Sequence, residues 1–254
     1  MTEEVAVSGA GLAGLVTACR LADAGVDVRV YETRDTVGGR VRSRRRDGFV
    51  LDRGFQVLFT AYPAVRAELD LDALDLRRFS PGAVLCSTDE GTRSVLADPL
   101  RDPGSFVASV FNRRVSTSDK LRTLLLRQDL AGREPAGLFG GADESIRSYL
   151  DGWGFSERYI ENFVAPFYGG ITLDRSLATS SQVFQYTFRT LSEGAIAVPA
   201  DGMGAIGEQL ADRARAAGVE IVRNEGLARI ERDQGGATTR GAGPVAFETT
   251  ERRR

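Results

Sequence analysis

Three glycines, one acid and a Gly-Gly-Arg triplet are the residues of this sequence whose types and spacing can do chemistry. Gly9, Gly11 and Gly14 stand in the run Gly9-Ala10-Gly11-Leu12-Ala13-Gly14, directly after Val5-Ala6-Val7-Ser8. In such a run the first glycine turns the chain sharply out of a strand. The second has no Cβ, so backbone can approach a pyrophosphate, and the third lets a helix pack closely on the sheet. The helix start, with Leu12 and Ala13, offers unpaired N–H groups and the positive end of the helix dipole to the same anion. Glu32 follows Gly14 at close to the roughly 20 residues expected of an acid that accepts hydrogen bonds from an adenosine ribose. An acid there favours a free 2′-hydroxyl and repels a 2′-phosphate, so the expected ligand is FAD or NAD and not NADP. A glycine-rich turn that binds nothing is the plain alternative. The strand before it, the helix after it and the acid beyond weigh against that alternative.

The elements that must position these residues are a strand at Val5 to Ser8, a helix at Leu15 to Ala24 closed by Gly25, and a strand at Val26 to Tyr31. Together they make a βαβ unit. Gly38-Gly39-Arg40 follows. The glycine pair gives backbone a second place to lie against a ligand, and Arg40 carries a fixed fork of donors suited to a phosphate or a flavin-side oxygen. The competing reading is a flexible turn with an exposed arginine. Arg40, Arg42, Arg44, Arg45 and Arg46 make a basic cluster that raises nucleic acid as a partner. Val41 and Ser43 alternate with these charges, and Asp47-Gly48 is a hairpin signal. A solvated strand returning through Phe49 to Asp52 is the better account.

Composition narrows the function classes. The chain has 254 residues, 42% hydrophobic and 27% charged, with a net charge of −2, so no global attraction to nucleic acid is implied. Histidine is absent, which removes His-based triads, His bases and His metal sites. Lys120 is the only lysine. Cys19 and Cys86 make neither a disulfide framework nor a zinc site. No apolar run approaches the ~20 residues that span a bilayer. Glu3 and Glu4 lead straight into a strand, unlike a secretory signal. The expected setting is soluble, reducing and cytoplasmic.

After the hairpin comes Asp52-Arg53-Gly54-Phe55-Gln56. Asp52, beside an arginine at a strand end, reads as a structural anion in preference to a general base. With this segment the order is G-x-G-x-x-G, then Glu32, then Gly38-Gly39-Arg40, then Asp52-x-Gly54. In this the sequence resembles the flavin-containing amine oxidase and phytoene desaturase-like superfamily. The resemblance implies FAD in preference to NAD, and it brings Gly54, Phe55 and Gln56 near the flavin ring as positioning groups. It names no catalytic residue.

Residues 61–194 read as an inserted, mainly helical region, the substrate domain that the resemblance implies. Tyr159 to Gly170 is rich in aromatics. It reads mainly as a core helix broken by Pro166, with an apolar substrate tunnel or a peripheral membrane contact as alternatives. The chain then returns through a strand at Ala195 to Val198, a turn at Pro199 to Gly204, a helix at Ala205 to Ala217, and strands at Val219 to Arg223 and Leu227 to Glu231. This resembles the family's P-x-G-G-M turn and N-x-x-V-x-x-I segment, with Asp201 replacing a glycine and Leu227 replacing valine. Leu227 is a candidate adenine contact, with a plain core residue an equal alternative.

The expected fold is α/β. A Rossmann-like FAD-binding domain with a parallel sheet is assembled from residues 1–60 and 195–233, and residues 234–254 form a disordered tail. Members of the family continue further. Two explanations are therefore open: a truncated or frame-shifted product, or one half of a split enzyme completed by a second chain. Either way the chain alone is expected to hold FAD weakly. The reaction implied by the resemblance is hydride removal from a hydrophobic polyene or an amine to flavin N5. The alternatives are a nucleotide-binding remnant without turnover and an NAD-dependent oxidoreductase. A small hydrophobic molecule is the expected partner, and no metal is expected.

Overall fold

A computed structural model describes residues 4–54, 57–86, 91–97, 115–232 and 245–251. In chain order its elements are β1 (Glu4–Ser8), α1 (Leu12–Asp23), β2 (Asp27–Glu32), β3 (Arg42–Arg46), β4 (Phe49–Arg53), β5 (Leu58–Phe59), α2 (Pro63–Glu68), β6 (Leu76–Arg78), β7 (Gly82–Cys86) and β8 (Arg93–Ala97). Then come α3 (Thr117–Ala131), α4 (Ile146–Gly152), α5 (Glu157–Tyr159), a π-helical turn (Ile160–Val164), α6 (Ala165–Thr172) and α7 (Ser181–Glu193). The order closes with β9 (Ile196–Pro199), α8 (Gly204–Ala216), β10 (Glu220–Arg223), β11 (Glu225–Arg232) and β12 (Val245–Glu251).

The chain divides into two compact units. One comprises residues 1–58, 63–77 and 197–254, and the other residues 59–62 and 78–196. The first unit is α/β, as expected, and its sheet has the order β1-β2-β10 with both pairs parallel. β2 is central. Its Val28, Val30, Tyr31 and Glu32 are buried, the pattern of a parallel strand covered on both faces. On α1, Leu15, Ala18 and Cys19 share the buried stripe, and on α8 it is Ile206, Leu210, Ala211 and Ala214. Both follow the 3.6-residue period and feed one core with Val28, Val30 and Val219.

Two expectations about boundaries change here. Residues 63–77 were expected in the inserted region and belong to the first unit. Their leucines alternate with aspartates, so Leu69, Leu71, Leu74 and Leu76 pack against the core, while Asp70 accepts from the N–H groups of Asp72 and Ala73, each at 3.0 Å. The second correction concerns residues 245–251 of the expected tail; residues 234–244 and 252–254 lie outside the described residues. Val245–Glu251 is a strand paired antiparallel with β11, from Glu225↔Glu251 to Arg232↔Val245, with a one-residue register shift between Leu227 and Arg229. The segment is rich in β-branched residues (Val245, Thr249 and Thr250) together with Phe247, residue types that favour strands, and the lack of periodicity around Gly235–Gly243 hid it.

The second unit is mainly helical, built on Leu126, Leu130, Ile146, Leu150, Ile160, Val164, Leu177 and Phe184. Four of its helices, α3, α4, α5 and α7, start at serines. Ser116, Ser145, Ser156 and Ser180 each accept a hydrogen bond from a backbone N–H of the first turn, the usual N-cap arrangement. Asp119 is fully buried where two of these starts meet. Its carboxylate accepts from Ser156 N–H at 2.9 Å, from the Ser156 hydroxyl at 2.6 Å and from the Ser116 hydroxyl at 2.5 Å. Pro166 does not break its helix, contrary to expectation. It sits near the start of α6, directly after the π-helical turn. The missing proline N–H is absorbed by the wider turn, and the helix continues. The aromatics there pack on one another, with Tyr168 and Phe184 ring centroids 4.6 Å apart and Phe155 and Tyr159 5.0 Å apart. Tyr168 is 2% exposed, and burial pushes its hydroxyl well above the usual phenol range.

Candidate functional site

β1 runs into Gly9, whose φ of +94° only glycine adopts freely. The Gly9 N–H donates to Tyr31 O at 2.7 Å, so the strand tip stays tied to β2 while the chain turns away. A Cβ on Gly14 would run into the Gly9 carbonyl oxygen. Gly11 is different. Its φ of −76° and ψ of 172° are open to any residue. A Cβ there would meet only Gly39 Cα, at 3.9 Å. The protein's own packing therefore does not require a glycine at 11. The open space beside it does, if something is to lie against the backbone.

Gly38 and Gly39 have φ of +91° and +61°. The Gly38 N–H donates to Ala10 O at 2.8 Å, and Gly11 and Gly38 form a parallel bridge. The two glycine loops thus lie backbone to backbone. Glu32 fastens the first of them. It is 4% exposed. One carboxylate oxygen accepts from Ala10 N–H at 2.9 Å. The other accepts from Arg34 N–H at 3.0 Å and from the Thr33 hydroxyl at 3.3 Å. A carboxylate offers about four lone-pair positions, so one acceptor position is left for a ligand hydroxyl. Glu32→Gln turns an amide NH₂ against one of these backbone donors. It is expected to destabilise the protein by about 1–3 kcal/mol, seen as a lower melting temperature without ligand.

These loops enclose a cleft of about 440 Å³ within the first unit. Of the residues expected from sequence, Gly9, Gly11, Ala13, Gly14, Glu32, Gly39 and Leu227 line it. Leu12 instead packs against the core, Gly38 is buried, and Arg40 and Gly54 are exposed; none of the four is among the lining residues. Phe55 and Gln56 lie outside the described residues. Ser8, Tyr31, Thr33, Arg34 and Gly226 also line the cleft and were missed. All are immediate or near neighbours of expected residues, so the strand-end positions of the βαβ unit were the available signal. Gly226 is needed for close packing, because a Cβ there would run into the Thr33 methyl.

Asp52 is not at the cleft. Its carboxylate accepts from Met203 N–H at 2.9 Å and from the Ser43 hydroxyl at 2.5 Å, and Ser43 Oγ in turn accepts from Gly204 N–H at 2.8 Å. This chain fastens the start of α8 to the β3–β4 hairpin and makes Asp52 a structural anion. A Cβ on Gly202 would sit 2.5 Å from Ser43 Oγ and 2.8 Å from Asp52 Oδ1. That contact accounts for the glycine kept beside the substituted Asp201.

A backbone floor at Gly11 that a methyl group would fill, a buried carboxylate with one spare acceptor position at Glu32, an arginine at Arg34 and an apolar wall at Leu227 fit the adenosine and phosphate portion of a dinucleotide. The cleft volume lies in the range of ligand pockets.

A family model described as flavin containing amine oxidoreductase matches residues 12–249. Protoporphyrinogen oxidase 2 of Arabidopsis thaliana is 27% identical over 170 residues, 66% of this chain and 32% of the relative. The 15-cis-phytoene desaturase of Synechococcus elongatus is 50% identical over 60 residues, 23% of this chain and 13% of the relative. A solved oxidoreductase from Methanosarcina mazei superposes with a TM-score of 0.66 at 20% identity, covering 92% of this chain and 54% of that one. The chain thus spans about a third of the first relative and about half of the solved structure.

Proposed function

Because the chain belongs to the family of flavin-containing amine oxidoreductases, FAD-dependent enzymes of this α/β fold, we propose that its first unit holds the adenosine and pyrophosphate portion of FAD in the glycine-lined cleft. The observation that carries the reading is Gly11: open backbone geometry, no internal contact that demands glycine, and a position on the cleft floor. Gly9 and Gly14 shape the turn, Gly39 brings the second loop against it, Glu32 accepts a ribose hydroxyl, and Leu227 covers the adenine. Gly38 supports Gly39 from beneath. Arg40 and Gly54, and with them Phe55 and Gln56, belong to the ring side of the cofactor in this reading.

When bound, FAD supplies the hydride-accepting chemistry for oxidation of a C–H bond beside nitrogen or an unsaturated system. The protein's part is to bind, orient and exclude water. The substrate class that fits is a hydrophobic polyene or amine. Two of the relatives carry phytoene and protoporphyrinogen in their names. A reducing, cytoplasmic setting accords with the two free cysteines. Among the described residues no helix is long and apolar enough to cross a membrane.

A second reading, a nucleotide-binding unit without turnover of its own, is favoured by one observation: the cleft lining comes only from the dinucleotide end of the expected site. Absorbance across a gel-filtration column equilibrated with FAD tests the first reading, because it detects the weak binding expected of the chain alone. Flavin absorbance near ~450 nm is expected to rise at the protein peak. No rise above the column's own flavin at the peak of a folded chain would remove it. Retained flavin that no amine or polyene reduces would favour the second reading.

A further inference from the structure

The β3–β4 hairpin pairs Arg42 directly opposite Arg53, Arg44 opposite Leu51 and Arg46 opposite Phe49. Residues directly opposite share a face of the ribbon, so four arginines crowd one face. Like charges directly opposite each other are destabilising, which makes the Arg42–Arg53 pair a position that needs an account. Arg42 is also the least solvated of the four. It is half-buried, and its Nε is buried without a hydrogen-bond partner. Its aliphatic stem passes beneath the glycine loop, with Cγ 3.5 Å from where a Gly38 Cβ would stand. Gly39, the next residue, lines the cleft.

Two of the four charges around Arg42 belong to the cleft. Burial lowers its pKa first, and the positive charges of Arg34 and Arg53 lower it further, while Glu32 and Asp35 act in the opposite sense. Of these, Arg34 and Glu32 are cleft-lining residues. The guanidinium has two carboxylates near it in Glu32 and Asp35, yet its Nε has no acceptor, and two further cations crowd it; an anion in hydrogen-bond reach would answer both.

Arg42 does not itself line the cleft; it packs against Gly38 behind the lining residue Gly39, and we propose that from there its guanidinium serves as an anion-binding group for a phosphate of the dinucleotide. The proposal rests on the cofactor reading above. It goes beyond that reading by assigning a role to an arginine outside the glycine motifs. Arg34 shares the task from the rim. Arg53 keeps the group under like-charge strain that a bound phosphate relieves.

The test compares ADP and adenosine binding to the wild-type chain, Arg42→Met and Arg42→Lys by calorimetry at two salt concentrations, together with ligand-free melting. Arg42→Met is expected to weaken ADP binding by about tenfold and to flatten its salt dependence. Adenosine binding should stay within about twofold. Arg42→Lys should fall between, because a point charge replaces the fork. Ligand-free melting of Arg42→Met should be equal to or above wild type, since a like-charge contact is removed. Unchanged ADP affinity in Arg42→Met overturns the proposal while leaving the cofactor reading intact. Equal losses for both ligands with a lowered melting temperature also overturn it, by showing a structural arginine. A wild-type chain that binds neither ligand overturns the cofactor reading and the proposal with it.

Discussion

Gly11→Ala is expected to leave folding stability within about 0.5 kcal/mol of wild type and to weaken FAD binding by roughly tenfold or more. The backbone at residue 11 lies in a region open to alanine. The new Cβ would meet only Gly39 Cα at 3.9 Å, an ordinary contact. Two small stability terms oppose each other. Alanine is a poorer N-cap than glycine, and it restricts the unfolded chain more. The methyl group projects onto the cleft floor, where backbone and pyrophosphate must come together. Gly14→Ala is the informative contrast. There the Cβ collides with the Gly9 carbonyl oxygen, so α1 must move off the turn, at a cost of about 1–3 kcal/mol. That variant should lose stability and flavin together. Thermal melts and flavin fluorescence titrations on both variants separate the cases. If Gly11→Ala binds FAD as tightly as wild type, the cleft is not the cofactor site.

Asp119→Ala is expected to destabilise the second unit by about 3 kcal/mol. Alanine leaves the buried Ser156 N–H and two hydroxyls without their acceptor, and the starts of α3 and α5 lose their common anchor. The same group gives a pH signature. Burial acts to raise the Asp119 pKa, but the hydrogen bonds from Ser116 and Ser156, with Arg122 beyond them, outweigh it and hold the carboxyl below its usual range. The folded state therefore keeps the carboxylate ionised where the unfolded chain, with a value near ~4, begins to take a proton. The stabilisation is full above that unfolded value and is lost as pH falls through the depressed folded value. Urea titrations at about pH 6 and about pH 3 should show the stability gap between wild type and Asp119→Asn shrinking at the lower pH. A gap that widens on acidification would contradict this account.

The sequence disclosed the parts of this protein that depend on local chemistry. The βαβ unit, the Asp47-Gly48 hairpin turn, the helix after Gly202 and the structural part played by Asp52 all follow from residue types at short spacing, and the structure has them. What it withheld depends on contacts between distant residues. The leucines of residues 69–76 read as part of an insertion because their partners lie on α1 and α8. Val245–Glu251 read as a tail because its partner strand precedes it across a glycine-rich stretch without pattern. Pro166 read as a break because its lost donor is visible in sequence and the π-helical turn that absorbs it is not. At the cleft the sequence pointed to Arg40, in the Gly-Gly-Arg triplet, while the lining holds Arg34, whose N–H donates to the Glu32 carboxylate; two residues past the acid, it belongs to no glycine motif.

The parallel pairing of β2 with β10 joins Arg29 to Glu220 and Glu32 to Arg223. During synthesis this has a consequence in time. β2 leaves the ribosome long before the strand that completes its second edge. At 5–20 residues per second the wait is roughly 10–40 s. The second unit is nearly continuous in sequence, from residue 78 to 196, and can collapse within that interval. The nascent chain therefore carries a two-stranded, half-covered sheet with Val28 and Val30 lacking α8, a sticky intermediate in the cell's own terms. Slower translation between residues 60 and 200 is expected to lengthen the time for which this face stays uncovered.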